Sequence, residues 1–194
     1  MENNLPIKGT SSSAWAQHVL KHFDEFLLDH ASCERKAAAL AMSFIAKYAD
    51  RKYLIEPMVS LAREELEHFA QVYRLLSKRG IIHLPPDERD EYVNAILKRL
   101  RHGRDEHFLD RLISSGMIEA RGYERFAVLA EHIEDPVLKT FYSDLAKREK
   151  GHYRIFLNIA EKYFTEDQVS EAVERIAQYE YEAMIQAPLT SRLH

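Results

Sequence analysis

Apolar residues recur every three to four positions over long stretches of the chain, and no stretch shows sustained period-two alternation, so the pattern predicts helices throughout. A first helical stretch begins near Ala14 or His22 and closes at Ala49, before "ADRK" has run out. A second spans about Tyr53 to Arg79, with Pro57 tolerable in its first turn and Gly80 marking the stop. "IIHLPPDERD" reads as a loop, because Pro85-Pro86 cannot continue a helix, and Asp87 is placed to cap the next one. A shorter helix covers roughly Glu88–His102 and breaks at Gly103. Another long one runs from about Asp105 to His132. "EDP" at 134–136 turns the chain, with Pro136 at a first helical position, and a fourth long helix reaches about Tyr163. Thr165 caps a last helix, and Gln168 three residues on completes a capping box.

The connections carry topology. Long helices one and two are joined by a few residues, as are three and four, so each pair is expected to form an antiparallel hairpin. Residues 81–104 form a long crossover between the pairs, with a short helix of their own. The expected fold is therefore all-α, a ferritin-like four-helix bundle of two antiparallel hairpins with accessory helices. Residues 1–194 are read as one domain, with 1–12 a loose arm and 186–194 a tail.

Composition agrees and narrows the class. Only 6 Gly and 6 Pro favour long regular elements, and 46% hydrophobic with 30% charged residues is an ordinary globular balance. Cys33 is the single cysteine, which excludes an intrachain disulfide and a Cys-rich zinc site and suits a reducing cytoplasm. The first residues, "MENNLPIKGTSSSAW", are not expected to be a secretory signal, and no apolar run is long enough to cross a membrane. A net charge of −4 gives no global sign of nucleic-acid binding, so any such partner must meet a local patch.

Two positions resist the simple pattern. In "LAREELEHFAQVY" at 61–73, Leu61, Leu66, Phe69 and Val72 build an apolar stripe, yet Glu65 and His68 fall close to it. "REKGHYRIF" at 148–156 repeats the arrangement with Glu149 and His152. One Glu-x-x-His is weak evidence. The spacing changes its weight, because Glu65 and Glu149 are 84 residues apart, as are His68 and His152. That shift also aligns Leu54 with Leu138, Leu61 with Leu145, Ala62 with Ala146 and Phe69 with Tyr153. Each motif has a Glu one helix upstream, Glu34 by 31 residues and Glu119 by 30. The chain reads as two copies of one helical hairpin.

Residues i and i+3 share a helix face, so each second helix offers a carboxylate beside an imidazole, and the lone Glu of the first helix comes opposite them. Two hairpins around one axis would collect Glu34, Glu65, His68, Glu119, Glu149 and His152. Four buried acids need compensation, and two divalent cations bridged by carboxylates supply it, as in di-iron and di-manganese carboxylate bundles. Ligands without thiolate suit iron or manganese, with zinc still open. At ~100° per residue, Glu67 and, less completely, Glu64 point away, and Asp29 and Glu124 fall off the faces of Glu34 and Glu119. His30, one turn before Glu34, is a candidate hydrogen-bond partner for that carboxylate.

"FLLDHASCERKAAALAMSF", "LAREELEHFAQVYRLLSKRGI", "DRLISSGMIEARGYERFAVLAE" and "FYSDLAKREKGHYRIFL" together resemble the MiaE type of tRNA hydroxylase over about residues 20–163. The resemblance implies an oxidoreductase, an O₂-dependent di-iron monooxygenase that hydroxylates the isopentenyl group of a hypermodified adenosine beside the tRNA anticodon. It implies the same six residues as ligands of two iron ions, O₂ as co-substrate, the tRNA anticodon stem-loop as partner and an electron donor of unspecified identity. It fixes no oligomeric state.

For the RNA, "KRLRHGR" at 98–104 places Lys98, Arg99, Arg101 and Arg104 as candidate phosphate contacts; a solvated helix end is the competing reading. Arg35, Lys36, Arg121 and Arg125 flank the lone glutamates and either line a rim or pair with surface acids. Tyr123 and Phe126 either touch a base or isoprenoid or pack in the core. The alternative function is a ferritin-like iron-handling or peroxide-reducing protein.

Overall fold

The computed structural model describes residues 5–194, and among these the chain forms eight helices and no strand. They are α1 (Ser13–Lys21), α2 (Phe23–Lys47), α3 (Lys52–Lys78), α4 (Glu91–Leu97), α5 (Arg104–His132), α6 (Pro136–Glu149), α7 (His152–Ala160) and α8 (Glu166–Gln186). The chain divides into two compact units. One comprises residues 17–88 with 190–193; the other comprises the chain up to Ala16, residues 89–189 and His194.

In the first unit α2 and α3 pack as an antiparallel hairpin joined by residues 48–51. Phe26, Leu27, Phe44, Leu54, Met58, Leu61 and Leu76 are wholly enclosed, each worth about 1.5–3 kcal/mol of burial. The tail joins this unit rather than trailing: Ser191 Oγ donates to Glu25 at 2.9 Å and the Leu193 amide to Asp29 at 2.8 Å. Arg192 pairs with Glu88.

In the second unit α5 is the central helix, packed by α6, α7 and α8, with α4 against α8. Phe108, Leu112, Phe126, Leu129, Tyr142, Phe156 and Ile176 fill its core. A Cβ at Gly116 would lie 3.2 Å from the Tyr153 carbonyl oxygen, so this glycine permits the close approach of α5 and α7. The expected loose arm is loose nowhere between Lys8 and Ser11. Arg121 donates to the carbonyls of Lys8 (2.9 Å) and Gly9 (3.4 Å), and Ser11 donates through its amide and hydroxyl to Glu124, both at 2.7 Å. Met1–Asn4, the start of that arm, lie outside the described residues.

Several expected boundaries shift. The first stretch is two helices, because the chain breaks at His22 (φ −123°, ψ 41°). The crossover helix is only Glu91–Leu97, and Asp90 rather than Asp87 caps it, accepting from the Val93 amide at 2.9 Å. Asp87 instead accepts from Ser32 at 2.6 Å and Arg35 at 2.5 Å. Pro57 lies beyond the first turn of α3 and is accommodated inside the helix. The expected fourth helix is interrupted between Glu149 and His152. There Gly151 donates to Arg148 O at 3.4 Å and Arg154 to Gly151 O at 3.0 Å, three-residue spacings that tighten the coil. Glycine, with the lowest helix propensity after proline, makes that point the weakest. The Thr165–Gln168 capping box forms as expected. No described helix is long and apolar enough to cross a membrane.

Candidate metal centre

Each unit carries one copy of the repeated motif. In the first, α2 presents Glu34, and α3 presents Glu65 and His68, all at most 4% exposed. One ligand atom from each of the three lies within 4.8 Å of the others. His68 Nδ1 is 3.3 Å from Glu65 Oε2 and 3.8 Å from Glu34 Oε2. The buried face of α3 differs from the expected stripe. Leu61, Ala62, Glu65, His68, Val72 and Leu76 point inward, whereas Leu66 is 53% exposed. The acid and the imidazole therefore occupy core positions, and a leucine faces water. Glu64 and Glu67 are exposed, as their angles require.

In the second unit, α5 presents Glu119, α6 ends on Glu149 and α7 begins on His152. A ligand atom of each again lies within 4.8 Å of the others. His152 Nδ1 is 2.6 Å from Glu149 Oε2 and 3.8 Å from Glu119 Oε2. The distance from the imidazole to the lone glutamate is thus the same in both copies. Glu149 and His152 are buried, while the Glu119 side chain keeps 12% exposure.

The copies differ in their support. His30, wholly enclosed, lies with Nε2 2.7 Å from Glu34 Oε1. The corresponding position one turn before Glu119 is Ser115, whose hydroxyl donates to Arg111 O at 2.8 Å. His30 thus orients the lone glutamate of the first unit, the kind of contact that fixes a metal-binding carboxylate. Each triad buries two carboxylates with one imidazole, a charge balance that favours a bound cation. Oxygen and imidazole donors without sulfur suit a hard or borderline divalent ion. Both groups are suited to binding metal.

The flanking residues sort clearly. Arg35 pairs with Asp87, and Lys36 donates to the Glu88 carbonyl at 3.2 Å, so both serve local structure. Arg121 lines no rim. It is wholly enclosed and holds Glu180 through two bonds, Nε to Oε1 at 2.7 Å and Nη2 to Oε2 at 3.1 Å. Glu180 also accepts from the Tyr92 hydroxyl at 2.8 Å. Burial, with the Glu180 charge, pushes that phenol well above its ordinary pKa and keeps it a donor. Arg125 is buried too, its guanidinium 5.0 Å from the centre of the Trp15 ring. Glu124, off the Glu119 face, joins the same network by accepting from Arg121 at 3.1 Å. Sequence spacing gives no signal for these partners, which lie up to 113 residues apart.

Of the crossover cations, Arg99 pairs with Glu182 at 2.5 Å and stacks 3.7 Å from the Tyr179 ring centre. Arg101 is held by Asp110 at 2.7 Å. Lys98 and Arg104 are exposed. Phe126 packs in the core against Tyr142, whereas Tyr123 is half-buried. Cys33 is half-buried, with its thiol 3.7 Å from Asp29.

Comparison with known proteins places this arrangement. The chain is 39% identical over 175 residues to a tRNA 2-(methylsulfanyl)-N(6)-isopentenyladenosine(37) hydroxylase of Pseudomonas putida, covering 90% of this chain and 84% of that protein. It is 34% identical over 143 residues to the Salmonella typhimurium protein of the same name, covering 74% of this chain and 52% of that one. Among solved structures, Protein 43 with aldehyde deformylating oxygenase activity from Synechococcus matches with a TM-score of 0.91 and 36% identity. That match covers 97% of this chain and 94% of the other. The fold is all-α and ferritin-like, as the hairpin repeat predicts. Residues 2–194 match the family described as tRNA-(MS[2]IO[6]A)-hydroxylase (MiaE), and with these relatives beside it, the chain belongs to the MiaE family of tRNA hydroxylases.

Proposed function

We propose that this chain hydroxylates the isopentenyl group of 2-methylthio-N6-isopentenyladenosine at position 37 of tRNA. The observation that carries the chemistry is the duplicated buried triad, Glu34–Glu65–His68 and Glu119–Glu149–His152. The substrate rests on the two named hydroxylases and on family membership across residues 2–194. Together these six residues would supply the ligands of two iron ions.

Bound iron supplies the redox chemistry by which O₂ oxidises an unactivated C–H bond. In the overall reaction, one oxygen atom enters the C–H bond and the other leaves as water. Two electrons and two protons come from an external donor. The protein's own share is positional. His30 holds one oxygen of Glu34 and leaves the other directed toward His68. The buried faces of α2, α3 and α5 to α7 keep water from the ligands. Lys98 and Arg104, exposed on the crossover, contribute contacts to RNA phosphates, and the reaction takes place in the cytoplasm with the tRNA pool.

A single-turnover experiment tests the reading. The protein is loaded anaerobically with ferrous iron, reduced, mixed with isopentenylated tRNA and O₂, and the RNA is digested for nucleoside mass spectrometry. The expected product gains one oxygen on the isopentenyl adenosine and is absent with Glu65→Ala. Iron oxidation without a modified nucleoside would instead support an iron-handling or peroxide-reducing protein.

A further inference from the structure

A groove of about 450 Å³ runs between α5 and α6 within the second unit. Its α6 wall carries Lys139, Ser143, Lys147 and Lys150, and its α5 wall carries Tyr123 and Glu131. The residues of each wall follow helical spacing. On α5 the lining positions 123, 127, 130 and 131 continue backward by one turn to Glu119. On α6 the lining ends at Lys150, next to Glu149. The groove therefore leads along the hairpin toward two members of the second triad, and Glu119 is the more exposed of them.

Its charge is suited to an anion. All three lysines are exposed, and among the described residues Lys139 and Lys150 form no ion pair. Lys147 is held by Asp144 at 2.8 Å. Arg148, next to Glu149, is exposed as well, so the segment approaching the triad is basic overall. This contrasts with the crossover, where Arg99 and Arg101 are engaged by Glu182 and Asp110. The half-buried Tyr123 ring adds an aromatic wall at the end nearest Glu119.

Resting on the tRNA reading above, we propose that this groove holds a nucleotide flanking the modified adenosine. The lysines contact its phosphates and Tyr123 stacks on its base. Lysines on a single-stranded backbone give affinity without sequence preference, and an aromatic platform accepts any base. A cationic groove beside the ligands would draw the loop of the RNA toward the metal centre and present the isopentenyl group there.

The test uses iron-loaded protein and a synthetic anticodon stem-loop carrying isopentenyladenosine, with affinity measured against salt. Each single-stranded phosphate contact contributes about 0.7 to the slope of log affinity against log salt. Lys139→Ala with Lys147→Ala is expected to lower that slope by about 1.4. Tyr123→Ala is expected to weaken binding about tenfold with the slope unchanged, and Tyr123→Phe to restore it. Lys78→Glu, an exposed change in the other unit, is the charge control and leaves the slope as it was. An unchanged slope in the lysine variant, with wild-type RNA still hydroxylated, overturns the groove and leaves the function standing. Wild-type protein that neither binds nor hydroxylates the RNA overturns both.

Discussion

Arg121 and Glu180 are both wholly enclosed and meet through two parallel hydrogen bonds, joining α5 to α8 two residues beyond Glu119. The pair ties together the N-terminal segment, α4 through Tyr92, and the helix that carries a candidate ligand. Desolvating two charges is costly, and the extra donors and acceptors around them offset that cost. Removing one partner leaves the other charge buried. Arg121→Met is expected to cost about 3–5 kcal/mol of unfolding free energy, read from the denaturant midpoint. Arg121→Met combined with Glu180→Leu is expected to cost clearly less than the single change. A single variant as stable as wild type would show that the pair contributes nothing.

His30 makes the two triads unequal. His30→Ala is expected to weaken metal binding by about 10- to 100-fold, measured by competition with a chelator. Ser115→Ala, at the matching place before Glu119, has no ligand contact to lose and is the comparison. Equal affinities for wild type and His30→Ala would remove His30 from the site.

Glu65→Ala and His152→Ala remove one donor from each triad. Both are expected to lower bound iron and abolish hydroxylation while far-ultraviolet circular dichroism stays near wild type. Full iron occupancy in either variant would contradict the ligand assignment.

Gly116 lies where α5 touches α7. A methyl group there would meet the Tyr153 carbonyl at 3.2 Å and Phe156 Cβ at 3.5 Å. A backbone atom cannot swing aside as a side chain can, so Gly116→Ala is expected to cost about 1–3 kcal/mol. Because α7 begins with His152, metal affinity should fall with it. Stability equal to wild type would show that the helices part freely.

Asp110 predicts an acid dependence. Burial pushes its carboxyl up, but hydrogen bonds from Arg101 and the charge of Arg175 outweigh that and hold its pKa below the ordinary value. The folded value is the lower one, so its stabilisation is full above the ordinary carboxylate range. It is lost as pH falls through that range toward the folded value. Unfolding midpoints of wild type and Asp110→Asn are therefore expected to differ at neutral pH and to converge on acidification. A constant difference would assign the effect to packing.

The sequence revealed the triads because a repeat of 84 residues carries its own control: two copies must place the same residue types at the same heights. It also revealed the hairpins, since proline, glycine and capping residues punctuate long apolar periods. It misplaced Leu66, because periodicity ranks leucine above glutamate for the core and takes no account of a site that needs acids inside. Arg121 and Glu180 were illegible for another reason. They are 59 residues apart, and nothing local distinguishes a buried pair from two surface charges. The groove escaped too, because Tyr123 and Lys139 become neighbours only once α5 and α6 pack.

The interruption at Lys150 and Gly151 gives the two copies different mechanics. Glu65 and His68 ride on one uninterrupted rod, where neither can shift without the other. Glu149 and His152 stand on either side of a joint, so a small rotation of α7 changes their separation and leaves α6 in place. A duplicated sequence has thus produced one continuous mount for an acid and an imidazole and one hinged mount for the same pair.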